Sequence, residues 1–100
     1  MTNQTSSLAI LRNANFCKAN LSDADLSDAD LSNAILRKTD LRKTDFTHAD
    51  LHKANFTNAD LGCDSYAIRC TDFRGAKNLT PEQVKSARNW EQAIYDPAFC

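Results

Sequence analysis

The residues with chemistry to offer are two histidines and four cysteines. His48 and His52 stand four apart, a spacing that on a helix would aim both imidazoles at one zinc ion. Cys17, Cys63, Cys70 and Cys100 show no CxxC spacing and are too sparse for a disulfide framework, so they read as free thiols. No Gly-rich phosphate loop, Ser/His/Asp set or Cys/His pair occurs at workable spacing. Catalysis needs a concave site holding such groups within reach of one another. The expectation is therefore a non-enzyme with no cofactor, metal or small-molecule substrate. Whether the two histidines can meet depends on the elements that carry them, and a repeat sets those elements.

Large apolar side chains recur at every fifth position: Leu11, Phe16, Leu21, Leu26, Leu31, Leu36, Leu41, Phe46, Leu51, Phe56, Leu61 and Tyr66. Two positions before each, from Ala9 to Ala59, sits Ala or Thr. A period of five smears around an α-helix, which turns about 100° per residue. In a flat strand the odd spacing would send successive large residues to opposite faces. Within one pentad the small and large residues are two apart and share one side of a short extended segment. The next three-residue step keeps the following pair inward only if the chain bends there. With corners of roughly a right angle, about four pentads close one coil, and coils stack at about 4.8 Å. The histidines then fall on different pentads and faces, as two solvated side chains.

Asn15, Asn20, Asp25, Asp30, Asp40, Asp45, Asp50, Asn55 and Asp60 each precede a large residue. Such side chains bond to nearby backbone amides and cap turns. Ile10 and Ile35 stand in their place and leave apolar surface outside. If twenty residues make a coil, Phe16 stacks with Leu36 and Phe56, and Leu26 with Phe46 and Tyr66. Thr39 and Thr44 are interior, and their hydroxyls need backbone acceptors.

The run Ala14-Asn15-Phe16-Cys17-Lys18-Ala19-Asn20-Leu21-Ser22-Asp23-Ala24-Asp25-Leu26 resembles the A(D/N)LXX signature of the pentapeptide-repeat family. The resemblance covers about two thirds of the chain and implies an all-β solenoid, a right-handed quadrilateral β-helix, here of about three coils. Asp64 departs from the pattern at a small-residue position, and the spacing lengthens between Tyr66 and Phe73, so Thr71 to Ala76 read as an irregular final segment. The chain divides into a flexible N-terminal segment, 1–8, a repeat β-helix, 9–76, and a C-terminal capping helix and tail, 77–100.

The cap begins at Thr80 as N-cap, with Pro81 at the first helical position, Gln83 able to reach back, and Leu79 and Val84 as a hydrophobic staple. Val84, Ala87, Trp90 and Ile94 share an arc about 120° wide on a continuing helix. That face should close the last coil, with Trp90 as packing rather than a recognition aromatic, and Asp96-Pro97 should end the helix. The N-terminal stretch is too short for a comparable lid. A homodimer, or a longer stack, through the first coil around Leu8, Ile10, Leu11 and Phe16 is expected.

The 100 residues carry a net charge of −1, and no apolar stretch approaches the roughly twenty residues of a membrane span. The N-terminus lacks the basic and apolar regions of a signal peptide, making the cytoplasm the expected compartment. Charge is banded: Asp23, Asp25, Asp28 and Asp30 in one coil, Arg37, Lys38, Arg42 and Lys43 in the next. Stacking would place Asp23 near Lys43 and Asp28 near His48, as exposed pairs worth about 0–1 kcal/mol each.

By resemblance, some pentapeptide-repeat proteins imitate duplex DNA and bind DNA gyrase in its place, so a DNA-mimicking inhibitor or protector of such an enzyme is the alternative function. Three coils span only about 14 Å, where a duplex carries about eight phosphates. Between Ala9 and Leu61 eight Asp face seven Lys and Arg, which disfavours mimicry. Direct nucleic-acid binding is disfavoured too, since no outward aromatic series accompanies the basic residues. The favoured reading is a structural or protein-interaction module whose flat faces meet an unknown protein partner. Its candidate surface residues are Asp23, Asp28, Ile35, Arg37, Arg42 and His52.

Overall fold

The computed structural model describes residues 9–64, 69–97 and 99. Tyr66, Leu8, Cys100 and the expected flexible segment 1–8 lie outside them. The backbone pairs with itself in parallel at a spacing of twenty residues: Ile10 with Asp30 and Asp30 with Asp50, Asn15 with Ile35 and Ile35 with Asn55, Asn20 with Asp40 and Asp40 with Asp60, Asp25 with Asp45. Twenty residues, four pentads, therefore make one coil. Each side of the coil is an extended triplet: small residue, pairing residue, large residue. The pairing residue bonds to the coil before it through both groups. The Asp30 amide donates to Ala9 O at 3.0 Å, and its carbonyl accepts from Leu11 N at 2.7 Å.

A two-residue corner comes after each triplet and is closed by a bond from the next small residue, as in Ala14 N to Leu11 O at 3.1 Å. The second corner residue is left-handed throughout: Asn13, Lys18, Asp23, Asp28, Asn33, Lys38, Lys43, His48, Lys53 and Asn58 have φ between 57° and 65°. Positive φ at the third turn residue favours Gly or Asn, and Asn and Asp tolerate it better than most side chains do. The Asn and Asp of the pairing position act differently. They stay extended and accept from the backbone two residues on, as Ser22 N does to Asn20 Oδ1 at 3.0 Å and Ser27 N to Asp25 Oδ1 at 3.0 Å. Cap and strained angle thus fall on separate residues of the pentad.

Leu31, Leu36, Leu41, Phe46, Leu51, Phe56 and Leu61 are fully buried, while Leu11, Phe16, Leu21 and Leu26 of the first coil are only partly so. The interior hydroxyls find their acceptors: Thr39 Oγ1 donates to Phe16 O and Thr44 Oγ1 to Leu21 O, both at 2.9 Å.

After Leu61 the structure departs from the sequence-based expectations in four ways. First, Asp45 pairs with Asp72, 27 residues on rather than 20. The seven extra residues equal the separation of Cys63 and Cys70, which pair antiparallel and form a disulfide, so these are not free thiols. Cys17 is free and exposed. Second, Thr71 to Ala76 are not an irregular tail: Thr71 to Gly75 form a regular pentad, and Ala76 opens the next. Thr71 Oγ1 donates to Leu41 O at 2.6 Å, Ala76 N closes the corner on Phe73 O at 3.0 Å, and Gly75 takes the left-handed corner position at φ 74°. Third, the place in the Leu26–Phe46 column expected for Tyr66 belongs to Phe73, which stacks on Phe46 with centroids 5.0 Å apart and on Tyr95 at 5.5 Å.

Fourth, the C-terminal segment is not one helix laid across the end. Helix α1, Pro81–Lys85, is five residues long, and a 3-10 turn spans Trp90–Gln92. Thr80 caps α1 with the reciprocal Gln83 bonds of a capping box. Propagation stops because Arg88 is drawn into pairing with Asp60, its amide donating to Ala59 O at 2.7 Å, and Asn89 turns left-handed at φ 58°. Lys77 pairs with Asp50 and Ile94 with Asp72, so this segment winds a further, partial coil with α1 in place of one side. Val84 is fully buried and Ala87 nearly so, Trp90 is half-buried, and Ile94 is 38% exposed.

Candidate interaction faces

The outward surface is built from two positions of each pentad, the pairing residue on the flat side and the corner pair beside it. The coil register sets four columns of pairing residues: Ile10, Asp30, Asp50 and Lys77; Asn15, Ile35 and Asn55; Asn20, Asp40, Asp60 and Arg88; Asp25, Asp45, Asp72 and Ile94. Three of the four are therefore acidic for much of their length. Most of that acid is matched locally. Arg42 clamps Asp40 at 2.9 Å through Nε and 2.7 Å through its terminal nitrogen, and reaches Asp60 at 4.0 Å. Arg74 clamps Asp72 at 2.7 Å and Arg12 meets Asp30 at 2.6 Å.

Bonding to the charged form keeps several of these carboxyls below the usual carboxylate range. For Asp25 the cause is donation from the Ser27 hydroxyl and then the Ser27 amide, and for Asp30 the same two groups of Ser32, with Arg12 adding to them. For Asp40 the Arg42 guanidinium leads. At Asp72 burial pushes the other way, and the bonds from Arg74 outweigh it. The two guanidiniums are raised in turn by their carboxylates.

The expected inter-coil pairs are not the ones formed. Asp23 pairs with Arg69 from beyond the disulfide rather than with Lys43, and no ion pair joins Asp28 and His48 among the described residues. The His48 ring instead packs on Gly75, so closely that a Cβ there would lie 2.5 Å from its Nδ1. Of the candidate surface residues, Asp23 and Arg42 share one corner, with Asp23 N donating to Arg42 O at 2.9 Å. Arg37 lies above Lys18 at the second corner, Asp28 at the third, and His52 beside Asn33 at the fourth. Ile35 is half-buried on a flat side. They do not converge on one site. His48 and His52 lie at different corners, and the described residues hold no group of three metal-ligating side chains.

One feature adds Lys18 to the basic band seen in sequence, and a second had no forerunner there. Lys18, Arg37 and Lys38 form an exposed basic corner with no ion pair to any described residue. The twenty-residue stacking was enough to find it. An apolar groove of about 250 Å³ between α1 and the 3-10 turn is lined by Pro81, Val84, Lys85, Trp90, Tyr95 and Phe99, with Lys85 Nζ 5.6 Å from the Trp90 ring centre. It arises from the short helix and had no sequence signal. Among the described residues no helix is long and apolar enough to cross a membrane.

A comparison with curated proteins finds no match. Among solved structures, the chain is similar to a pentapeptide repeat protein of the Arabidopsis thaliana thylakoid lumen, at 20% identity and TM-score 0.34, covering 73% of this chain and 56% of that one. It is also similar to HetL, a pentapeptide repeat protein involved in heterocyst differentiation regulation from the cyanobacterium Nostoc, at 20% identity and TM-score 0.39, covering 86% and 57%. The chain spans a little over half the length of each. The family model for pentapeptide repeats matches residues 9–37 and 24–62. With that match running through the same residues whose backbone pairs every twenty positions, the chain belongs to the pentapeptide-repeat family.

Proposed function

We propose that the chain is a non-catalytic protein-interaction module: a right-handed quadrilateral β-helix whose side faces present charged residues at fixed spacing to a protein partner. Its interior is filled by side chains, which leaves function to the surface. The observation that carries the reading is the basic corner of Lys18, Arg37 and Lys38, three exposed cations stacked at one corner with no ion pair to any described residue. A partner with an acidic patch fits it, and binding through such a patch weakens with salt. The broader band foreseen from sequence narrows, because Arg42 is held by Asp40 and Asp60.

The test compares wild type with Lys18→Glu/Arg37→Glu/Lys38→Glu in a pull-down from native extract, followed by titration of the captured partner at increasing salt. Loss of binding in the variant and a steep salt dependence are expected. Equal binding in both would remove the corner as the docking face.

A duplex mimic acting on a DNA-binding enzyme such as gyrase would use the acidic columns instead. Arg12, Arg42 and Arg74 neutralise much of their charge, so this reading stands second. Protection of gyrase in a supercoiling assay would reverse the order. The cytoplasmic compartment expected from sequence stands against the Cys63–Cys70 bond, because disulfides persist in oxidising compartments.

A further inference from the structure

Among the described residues the first coil ends in an open edge. In later coils the amide and carbonyl of each pairing residue bond to the coil before, as Asp30 does to Ala9 and Leu11. In the first coil the same groups of Ile10, Asn15, Asn20 and Asp25 make no hydrogen bond to any described residue. Above this edge Leu11, Phe16, Leu21 and Leu26 are partly open, and Ile10 is 70% exposed. The opposite end is occupied: Val84 is sealed inside, and Gln83 Nε2 donates to Leu51 O at 2.8 Å and Ala54 O at 3.0 Å.

The charges around the open edge select its partner. Arg12, Lys18, Asp23 and Asp28 occupy the four successive corners of the first coil, so the signs run positive, positive, negative, negative. The geometry points to a second copy of this chain, stacked edge to edge about a two-fold axis in the plane of the edge, through the side of Ile10 and the side of Asn20. That rotation sets Lys18 over the partner's Asp23 and Arg12 over the partner's Asp28, matching all four corners. The axis at right angles, through the sides of Asn15 and Asp25, sets Arg12 over the partner's Lys18 and Asp23 over the partner's Asp28. A diagonal axis sets two like corners on themselves. Only one arrangement is complementary everywhere. Arg12 and Asp23 already bond to Asp30 and Arg69, yet remain 59% and 51% exposed as side chains and can be shared.

The same axis makes all four sides meet antiparallel. Ile10 faces the partner's Ile10, Asn20 the partner's Asn20, and Asn15 the partner's Asp25. Directly opposed residues in an antiparallel pair can exchange both N–H···O=C bonds, and these are the residues whose groups are open. The exposed isoleucines become a cross-strand apolar pair at the axis. The interface is isologous and closed, so assembly stops at a dimer.

Sedimentation velocity on the full chain over a concentration series tests this. Wild type is expected to dimerise, and Ile10→Lys, which changes an outward side chain, to sediment as a monomer with an unchanged circular dichroism spectrum. Lys18→Asp and Asp23→Lys should each weaken self-association about tenfold or more, by setting like charges face to face. An equimolar mixture of these two variants should dimerise again, because the mixed pair has every corner matched. Wild type that stays monomeric throughout, a dimer that survives Ile10→Lys, or a mixture no tighter than either variant alone would overturn the proposal. Lys18 also belongs to the basic corner, so Ile10→Lys, which leaves that corner intact, is the variant that separates self-association from binding of an acidic partner.

Discussion

Gly75 carries the corner position that Lys, His, Asn and Asp hold elsewhere in the coil, and it has two reasons to be glycine. Its φ of 74° is left-handed, and the His48 ring fills the space a Cβ would take. Gly75→Ala is expected to cost about 2 kcal/mol, through backbone strain and the displacement of His48. Chemical denaturation checks it, and a change under about 0.5 kcal/mol would contradict the contact. The carboxyls of Asp25, Asp30, Asp40 and Asp72 give a second expectation at this scale. All are held below the ordinary value by bonds made only in the folded chain. Their contribution is therefore complete above the unfolded carboxyl range and is lost as pH falls through the lower folded values. Thermal melts should show a plateau near neutrality and a decline below about pH 4. A melting temperature that rises as the pH drops below this value would refute the assignment.

Among elements, α1 is too short to persist alone, since isolated helices under about 12 residues are marginal in water. It holds through Val84 in the core, the Gln83 bonds to the third coil and the Thr80 capping box. Thr80→Ala should cost about 1 kcal/mol, read from the unfolding midpoint, and hydrogen exchange should quicken at Gln83 N before it does in the coil. The seven-residue excursion is the other unusual element. Its ends are joined by the Cys63–Cys70 bond, so the regular repeat resumes as if the intervening residues were absent. In peptide mapping after alkylation, Cys17 should label without reductant and Cys63 and Cys70 only with it. Full labelling of all three without reductant would show that the pair is open.

For the whole molecule, each coil contacts only its neighbours, so stability accumulates along the stack. Its densest point is aromatic: Phe46 packs edge-on to Phe56 at 6.0 Å and flat against Phe73, which continues through Tyr95 to Phe99. Phe46→Ala should cost about 3–5 kcal/mol and lower the cooperativity of unfolding, because it uncouples the second coil from the third. If the denaturant midpoint moved no further than for a surface substitution, this column would not be the keystone of the stack.

The pentad from Ala9 to Leu61 was legible in the amino-acid order because its causes are local: a two-residue inward step, a corner that reverses it, and Asn or Asp to bond the corner amide. Repetition then dictates that residues twenty apart stack, which places Phe16 with Leu36 and Phe56 and separates His48 from His52. Beyond Leu61 the outcome depended on the folded chain. A skipped stretch of seven residues leaves no periodic trace, so Thr71 to Ala76 read as irregular until their bonds to the second coil were in place, and Cys63 and Cys70 met only across that skip. The length of α1 was likewise a contest between helical propagation and pairing with Asp60, and only the edge of the preceding coil decides which side wins. The same holds for the charges: sequence sets their order around the corners, while the neighbours supplied by stacking determine that Arg42 is spoken for and that Lys18, Arg37 and Lys38 are not.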